Sequence, residues 1–137
     1  MTRLQELTIP SDPEELPKVD EIAEKVAIEM KFPKDLRDDI AIAVTEAVNN
    51  AIIHGNHEDP DKKVHITFTS QPDGLKVRVI DEGDGFDPDK MPDPTTPENI
   101  LLEQGRGVFI IKHLMDYTEF KKVRGGMQIT MVKKHKK

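Results

Sequence analysis

The sequence predicts an α+β fold, a two-layer sandwich in which a mixed, mainly antiparallel sheet carries helices on one face. Three observations predict it. Apolar residues recur at helical spacing from Val19 to Met30 and again from Ile40 to Ala51. They alternate with polar residues from Val64 to Thr69 and from Leu75 to Val79. Two turn signals, Gln71-Pro72-Asp73-Gly74 and Gly125-Gly126, join strands into hairpins.

Each element has its own justification. Glu6 to Ile9 reads as a short first strand, stopped by Pro10. Ser11-Asp12-Pro13-Glu14 carries the chemistry of a helix start: a capping oxygen, a proline and early acids. Val19, Ile22, Ala23, Val26 and Met30 extend that helix to Lys31, where Phe32-Pro33 breaks it. A second helix runs from Lys34 to His54, with Gly55 and Asn56 as stop signals. The first hairpin follows. The stretch from Pro88 to Pro97 holds four prolines and reads as a loop long enough to serve as a lid. Gly105 to Met115 turns helical, and Thr118 to Val123 with Met127 to Val132 forms the last hairpin.

The 137 residues suit one compact domain spanning 1–137. A net charge of -6 argues against nucleic acid or an anionic membrane as a direct partner. The basic end, Lys133 to Lys137, reads as a solvated tail. The chain has no cysteine, hence no disulfide or thiolate metal site. It has no apolar run of membrane-spanning length and no signal-peptide core, so a cytoplasmic location is expected.

Three clusters carry chemistry. On the second helix, Ile40, Val44, Ala47, Val48 and Ala51 gather on one stripe, and Ile42, Glu46, Asn49, Asn50 and Ile53 lie roughly opposite. Two isoleucines among polar groups imply a second covered side, facing a ligand, a lid or a partner subunit. Glu46 and Asn50 sit one turn apart on it. A carboxylate can take a proton, and an amide oxygen suits Mg²⁺. The pair would equally fit a solvated surface.

The second cluster is Val79-Ile80-Asp81-Glu82-Gly83-Asp84-Gly85-Phe86. Strand alternation puts Asp81 on the face of Leu75, Val77 and Val79, pointing between the layers. A buried carboxylate there needs a donor, and the exocyclic amine of adenine is a suitable one. Gly83 and Gly85 would let backbone approach a flat base, although Asp-Gly is also a common turn. Pro88 stands where a dinucleotide fingerprint needs its third glycine. A calcium loop fails as well, because Gly83 and Gly85 replace ligands and Pro92 the terminal Glu.

The third cluster is Gln104-Gly105-Arg106-Gly107 before an apolar helix. Open N–H groups at a helix start favour an anion, and Arg106 adds a bidentate cation. No Walker A sequence occurs in the chain.

Taken in order, Glu46-x-x-x-Asn50-Ala51-x-x-His54-Gly55, Asp81-x-Gly83-x-Gly85-Phe86 and Gly105-Arg106-Gly107 resemble the motif set of the GHKL ATPase superfamily. The run from Glu98 to Asp116, with the small size, resembles the bacterial anti-sigma factor serine/threonine kinases of the partner-switching type. The likeness spans residues 5–133. It implies a Bergerat ATP-binding fold and an ATP-dependent protein kinase. Such a kinase phosphorylates a serine on an anti-sigma factor antagonist and sequesters an RNA polymerase sigma factor. The competing reading is a non-catalytic module that switches partners with ATP or ADP. By the resemblance, Asn50 coordinates Mg²⁺ and Glu46 acts as general base or orients the serine hydroxyl. Asp81 reads the adenine amine, helped by Gly83 and with Gly85 shaping the turn. Gly105, Arg106 and Gly107 hold the phosphates, and Thr130 lies near the adenine. The resemblance also implies a homodimer.

Overall fold

The computed structural model describes residues 2–83 and 103–135. Strand β1 (Thr2–Pro10) leads through a 3-10 turn (Pro13–Glu15) into helix α1 (Leu16–Glu29). Helix α2 (Lys34–Asn50) runs on into a π turn (Ala51–Gly55). Strands β2 (Lys63–Gln71) and β3 (Gly74–Ile80), helix α3 (Glu103–Leu114), and strands β4 (Tyr117–Val123) and β5 (Gly126–Lys134) follow. The described strands form one sheet in the order β1-β2-β3-β5-β4. All its pairings are antiparallel, so no parallel component of the expected mixed sheet occurs among the described strands.

Local chemistry explains the boundaries. The Asp12 carboxylate accepts the Glu14 N–H at 3.0 Å and caps the 3-10 turn. Its neighbour Ser11 is buried and donates its hydroxyl to the Lys62 carbonyl at 2.6 Å. Beyond α1, Lys31 adopts φ 64°, and the Phe32 N–H reaches back to the Ala27 carbonyl at 3.1 Å. That reversal sends Phe32 into the core, where it is 1% exposed.

Strand parity sorts the sheet into two faces. One inward row runs Leu7, Ile66, Val79, Ile129 and Phe120 across the strands. Ile66, Val79 and Ile129 join Val19, Ala23 and Val26 of α1, Ile40, Val44, Ala47 and Val48 of α2, and Ile111 of α3 in one core. Each valine and isoleucine among them contributes about 1.5–3 kcal/mol on burial. The helices therefore cover one face, as expected. The adjacent row, Glu6, Thr67, Arg78, Thr130 and Glu119, lies on the other face. Lys133 is one of several buried polar side chains. Its buried amine pairs with Asp39 of α2 at 3.2 Å and donates to the Leu114 carbonyl. It thereby caps the C-terminus of α3, where the helix dipole favours a cation, and ties α3 to α2. Among the described residues, no helix is long and apolar enough to cross a membrane.

Candidate functional site

Helix α2 supplies one wall of the site. Leu36, Ile40, Ala43, Val44, Ala47 and Val48 sink into the core, which turns Glu46 to the opposite side, half-buried. Of the two isoleucines on that side, Ile53 is partly buried against the core and Ile42 stands exposed. Helix α3 packs along α2, so a Cβ on Gly107 would stand 3.3 Å from Glu46 Oε2. The acid of the first cluster and a glycine of the third therefore meet. Helix α3 begins at Glu103, earlier than Gly105. Gly105, Arg106 and Gly107 thus lie in its opening turns, with the Arg106 side chain exposed. The first N–H groups of a helix lack intrahelical partners and face whatever anion approaches.

One turn along α2, Asn50 is 5% exposed, and its Nδ2 has no hydrogen-bond partner among the described residues. Thr45 Oγ1 and His54 Nε2 share that condition. A buried polar atom without a partner costs about 1–3 kcal/mol, which a bound ligand can recover. The Asn50 amide fits Mg²⁺, because that ion takes only one or two protein oxygens and completes its shell with phosphates and water. No group of three His, Cys, Asp or Glu that could cage a metal occurs among the described residues.

The other end of the site is built around Asp81. Parity with Val79 turns it inward, and it is 4% exposed. Its N–H donates to the Met127 carbonyl at 3.0 Å, and its Oδ1 accepts the N–H groups of Gly83 and Met127, each at 3.1 Å. Among the described residues no donor reaches Oδ2. Three glycines close around this carboxylate. A Cβ would lie 2.1 Å from Asp81 Oδ2 if placed on Gly55, 1.8 Å from the Asp81 carbonyl on Gly126, and 1.6 Å from the Gly55 carbonyl on Gly83. Nothing larger than glycine fits these three contacts. The π turn brings Gly55 there: the Asn56 N–H bonds the Ala51 carbonyl five residues back, at 2.8 Å. Burial pushes the Asp81 carboxyl above its ordinary value, and the Gly83 and Met127 N–H groups offset this only in part. The next residue behaves oppositely. The Lys63 N–H (2.7 Å) and His65 Nε2 (2.8 Å) hold Glu82 below the usual carboxylate range.

Of the residues singled out in the sequence, the structure sets Gly107 of α3 against Glu46 of α2 and Gly83 beside Gly55 and Asp81, with Asn50 one turn beyond Glu46 on α2 and Gly105 and Arg106 in the opening turns of α3. Gly85, and the expected lid apart from its end in α3, lie outside the described residues. Thr130 requires correction. It pairs with Arg78 and Glu119 on the sheet face away from the helices, opposite to the face of Asp81. The last-strand residues that reach Asp81 are Met127, through its backbone, and Gly126, which packs on it. Sequence reasoning also passed over Asn56, read only as a helix stop, and the packing of Gly55 and Gly126 on Asp81. No local signal marks contacts between residues as distant as Asp81 and Met127, 46 positions apart.

A helix-covered antiparallel sheet, a strand-end carboxylate wrapped in glycine, and an acid facing the opening of a second helix define an ATP-binding domain. Residues 9–133 match the family described as the Histidine kinase-like ATPase domain. The chain is 36% identical over 134 residues to the serine-protein kinase RsbW of Bacillus subtilis, covering 93% of this chain and 83% of that one. It is 40% identical over 83 residues to the anti-sigma F factor of Oceanobacillus iheyensis, covering 59% and 57%. The catalytic domain of histidine kinase ThkA superposes with a TM-score of 0.60 at 15% identity, over 96% of this chain and 98% of that one. The RsbU and RsbW domains of a Mycobacterium tuberculosis protein superpose with a TM-score of 0.64 at 16% identity, over 96% and 32%. At such identities the likeness to solved structures concerns the fold. The chain belongs to the histidine kinase-like ATPase domain family, alongside the serine-protein kinases named RsbW.

Proposed function

We propose that this protein is an anti-sigma factor serine kinase. It binds ATP, transfers the γ-phosphoryl group to a serine of an antagonist protein, and sequesters a sigma factor while the antagonist is phosphorylated. It acts in the cytoplasm as a homodimer. The observation that carries the reading is the approach of Gly107 to the Glu46 carboxylate. An acid positioned where a phosphate-binding helix opens is what transfer to a hydroxyl requires.

In this reading Asp81 accepts the adenine amine at Oδ2, and the α3 N–H groups with Arg106 hold the phosphates. From Glu46 to Asp81's neighbour Gly55 the helix rises about 13 Å, at about 1.5 Å per residue, a span suited to an extended nucleotide. Glu46 takes the serine proton as the serine oxygen bonds to the γ-phosphorus. The bond from that phosphorus to the β–γ bridging oxygen breaks, and ADP leaves with the electron pair. Asn50 would hold Mg²⁺, which neutralises phosphate charge when bound.

The test is γ-labelled ATP with the cognate antagonist. Label on an antagonist serine is expected, reduced about a hundredfold or more in Glu46→Gln with ATP binding retained. Tight ATP binding with no label transferred would instead identify a nucleotide-switched binding module.

A further inference from the structure

We propose that Asn56 and Glu82 are positioning residues for base recognition. Together they fix the peptide that follows Asp81, and so hold its carboxylate with Oδ2 turned to the adenine amine. The inference rests on the reading of Asp81 as the base acceptor.

Asn56 is 0% exposed, and its side chain makes three hydrogen bonds to partners from separate elements. Its Oδ1 accepts the Glu82 N–H at 2.8 Å. Its Nδ2 donates to Ser11 Oγ at 2.8 Å and to the Lys63 carbonyl at 3.0 Å. Ser11 follows β1, Lys63 opens β2 and Glu82 follows β3. A short side chain with one acceptor and two donors is an Asn property. An Asp would set an oxygen against the Lys63 carbonyl, and a Gln would be one methylene too long.

The N–H taken by Asn56 belongs to the peptide between Asp81 and Glu82, the plane from which the Asp81 side chain hangs. The following N–H, that of Gly83, is one of the two that hold Asp81 Oδ1. On the other side Gly55, directly before Asn56 in the chain, stands against Oδ2. Asn56 therefore links both walls of the carboxylate. Its own backbone is tied by the Ala51 carbonyl at 2.8 Å and by the Asp59 N–H at 3.0 Å.

Glu82 anchors the same peptide from outside. Its Oε1 accepts the Lys63 N–H, and its Oε2 lies 2.8 Å from His65 Nε2. A carboxylate only accepts, so Nε2 carries the hydrogen, and in the neutral ring Nδ1 accepts from the Thr8 hydroxyl at 3.1 Å. The turn leaving Asp81 is thus clamped to β1 and β2 by two independent side chains.

The measurement is the ratio of dissociation constants for purine riboside triphosphate, whose base lacks the exocyclic amine, and for ATP. Asn56→Ala and Glu82→Ala should each lower the preference for ATP about tenfold, while affinity for the amine-free nucleotide changes little. Equal weakening of both nucleotides, with the ratio intact, would mean a purely structural role and overturn the proposal. Glu82→Ala removes a half-exposed side chain and empties no core, so its ratio decides alone if Asn56→Ala does not fold. Asp81→Asn separates the two levels. An unchanged ratio in that variant sinks the base-reader assignment. A changed ratio there, with unchanged ratios in Asn56→Ala and Glu82→Ala, sinks only the positioning role.

Discussion

The two ends of the site are built in opposite ways. At the proposed base end, around Asp81, the protein has already used most of its hydrogen bonds on itself. Asp81 Oδ1 holds two backbone donors, Asn56 makes three hydrogen bonds, Gly55 stands against the carboxylate, and Gly126 and Gly83 pack against the Asp81 and Gly55 carbonyls. At the proposed phosphate end, around Asn50 and Glu46, polar atoms remain open. Asn50 Nδ2 is buried with no partner among the described residues, and a Cβ on Gly107 would stand 3.3 Å from Glu46 Oε2. A rigid base cannot be read by a loose acceptor, so that end is preorganised. Phosphates and a metal bring their own charge and hydrogen bonds, so groups waiting for them need not pair in advance.

The same substitution at each end tests this contrast most severely. In Gly83→Ala the new methyl meets the Gly55 carbonyl at 1.6 Å, and backbone faces backbone. Loss of ATP binding is expected, with a stability loss of about 1–3 kcal/mol or more. In Gly107→Ala the contact is 3.3 Å to Glu46 Oε2, the far end of a rotatable side chain. Stability should hold or rise by up to about 1 kcal/mol, because alanine favours helix over glycine, while phosphotransfer falls as Glu46 is displaced. Urea melts and ATP isotherms check both; equal destabilisation of the two variants would abolish the contrast.

A smaller effect is expected from Asn50→Ala. It removes a buried amide whose Nδ2 has no partner to lose among the described residues, and relief of that desolvation offsets the packing lost, so stability should stay within about 0.5 kcal/mol of the parent. Mg²⁺ should then no longer strengthen ATP binding. A large fall in melting temperature would mean that Asn50 belongs to the scaffold, and the phosphate end would be no more open than the base end.

The smallest effect is a pH dependence at the base end. A carboxyl raised in the folded state binds its proton more tightly there than in the unfolded chain. Asp81 therefore favours folding at acid pH, and that advantage is lost as pH rises from the ordinary carboxylate value through the raised one. Above the raised value the carboxylate is ionised while buried, and it then costs stability. Asp81→Asn should be at least as stable as the parent at neutral pH, with the difference closing as the solution is acidified. Its ATP affinity should fall about tenfold. Denaturant midpoints across pH test the sign, and a difference that widens toward acid would contradict it.

Much of this was legible along the chain. The alternation of Val64 to Thr69 and Leu75 to Val79 identified the first hairpin, and the stripe from Ile40 to Ala51 identified the helix that carries Glu46 and Asn50. Parity along β3 was enough to turn Asp81 inward, because it follows Val79 by two positions, directly after the strand's last residue Ile80. Thr130 shows where such reasoning stops. One residue of register moves a side chain to the opposite face. The pairing of β3 with β5 puts Ile129 and Met131 toward the core and Thr130 away from it.

Sequence by itself determined the fold class, the order of elements, and the pairing of an acid and an amide one helical turn apart. These depend on neighbours a few residues distant, whose periodicity is written in the chain. Only the tertiary structure decided what surrounds Asp81. Gly55, Asn56, Gly126 and Met127 come from a helix end and a distant hairpin, and they reach one carboxylate because the sheet places β5 beside β3 and the π turn lays α2's end across them. Contacts of that kind have no period, so they are set by packing in three dimensions.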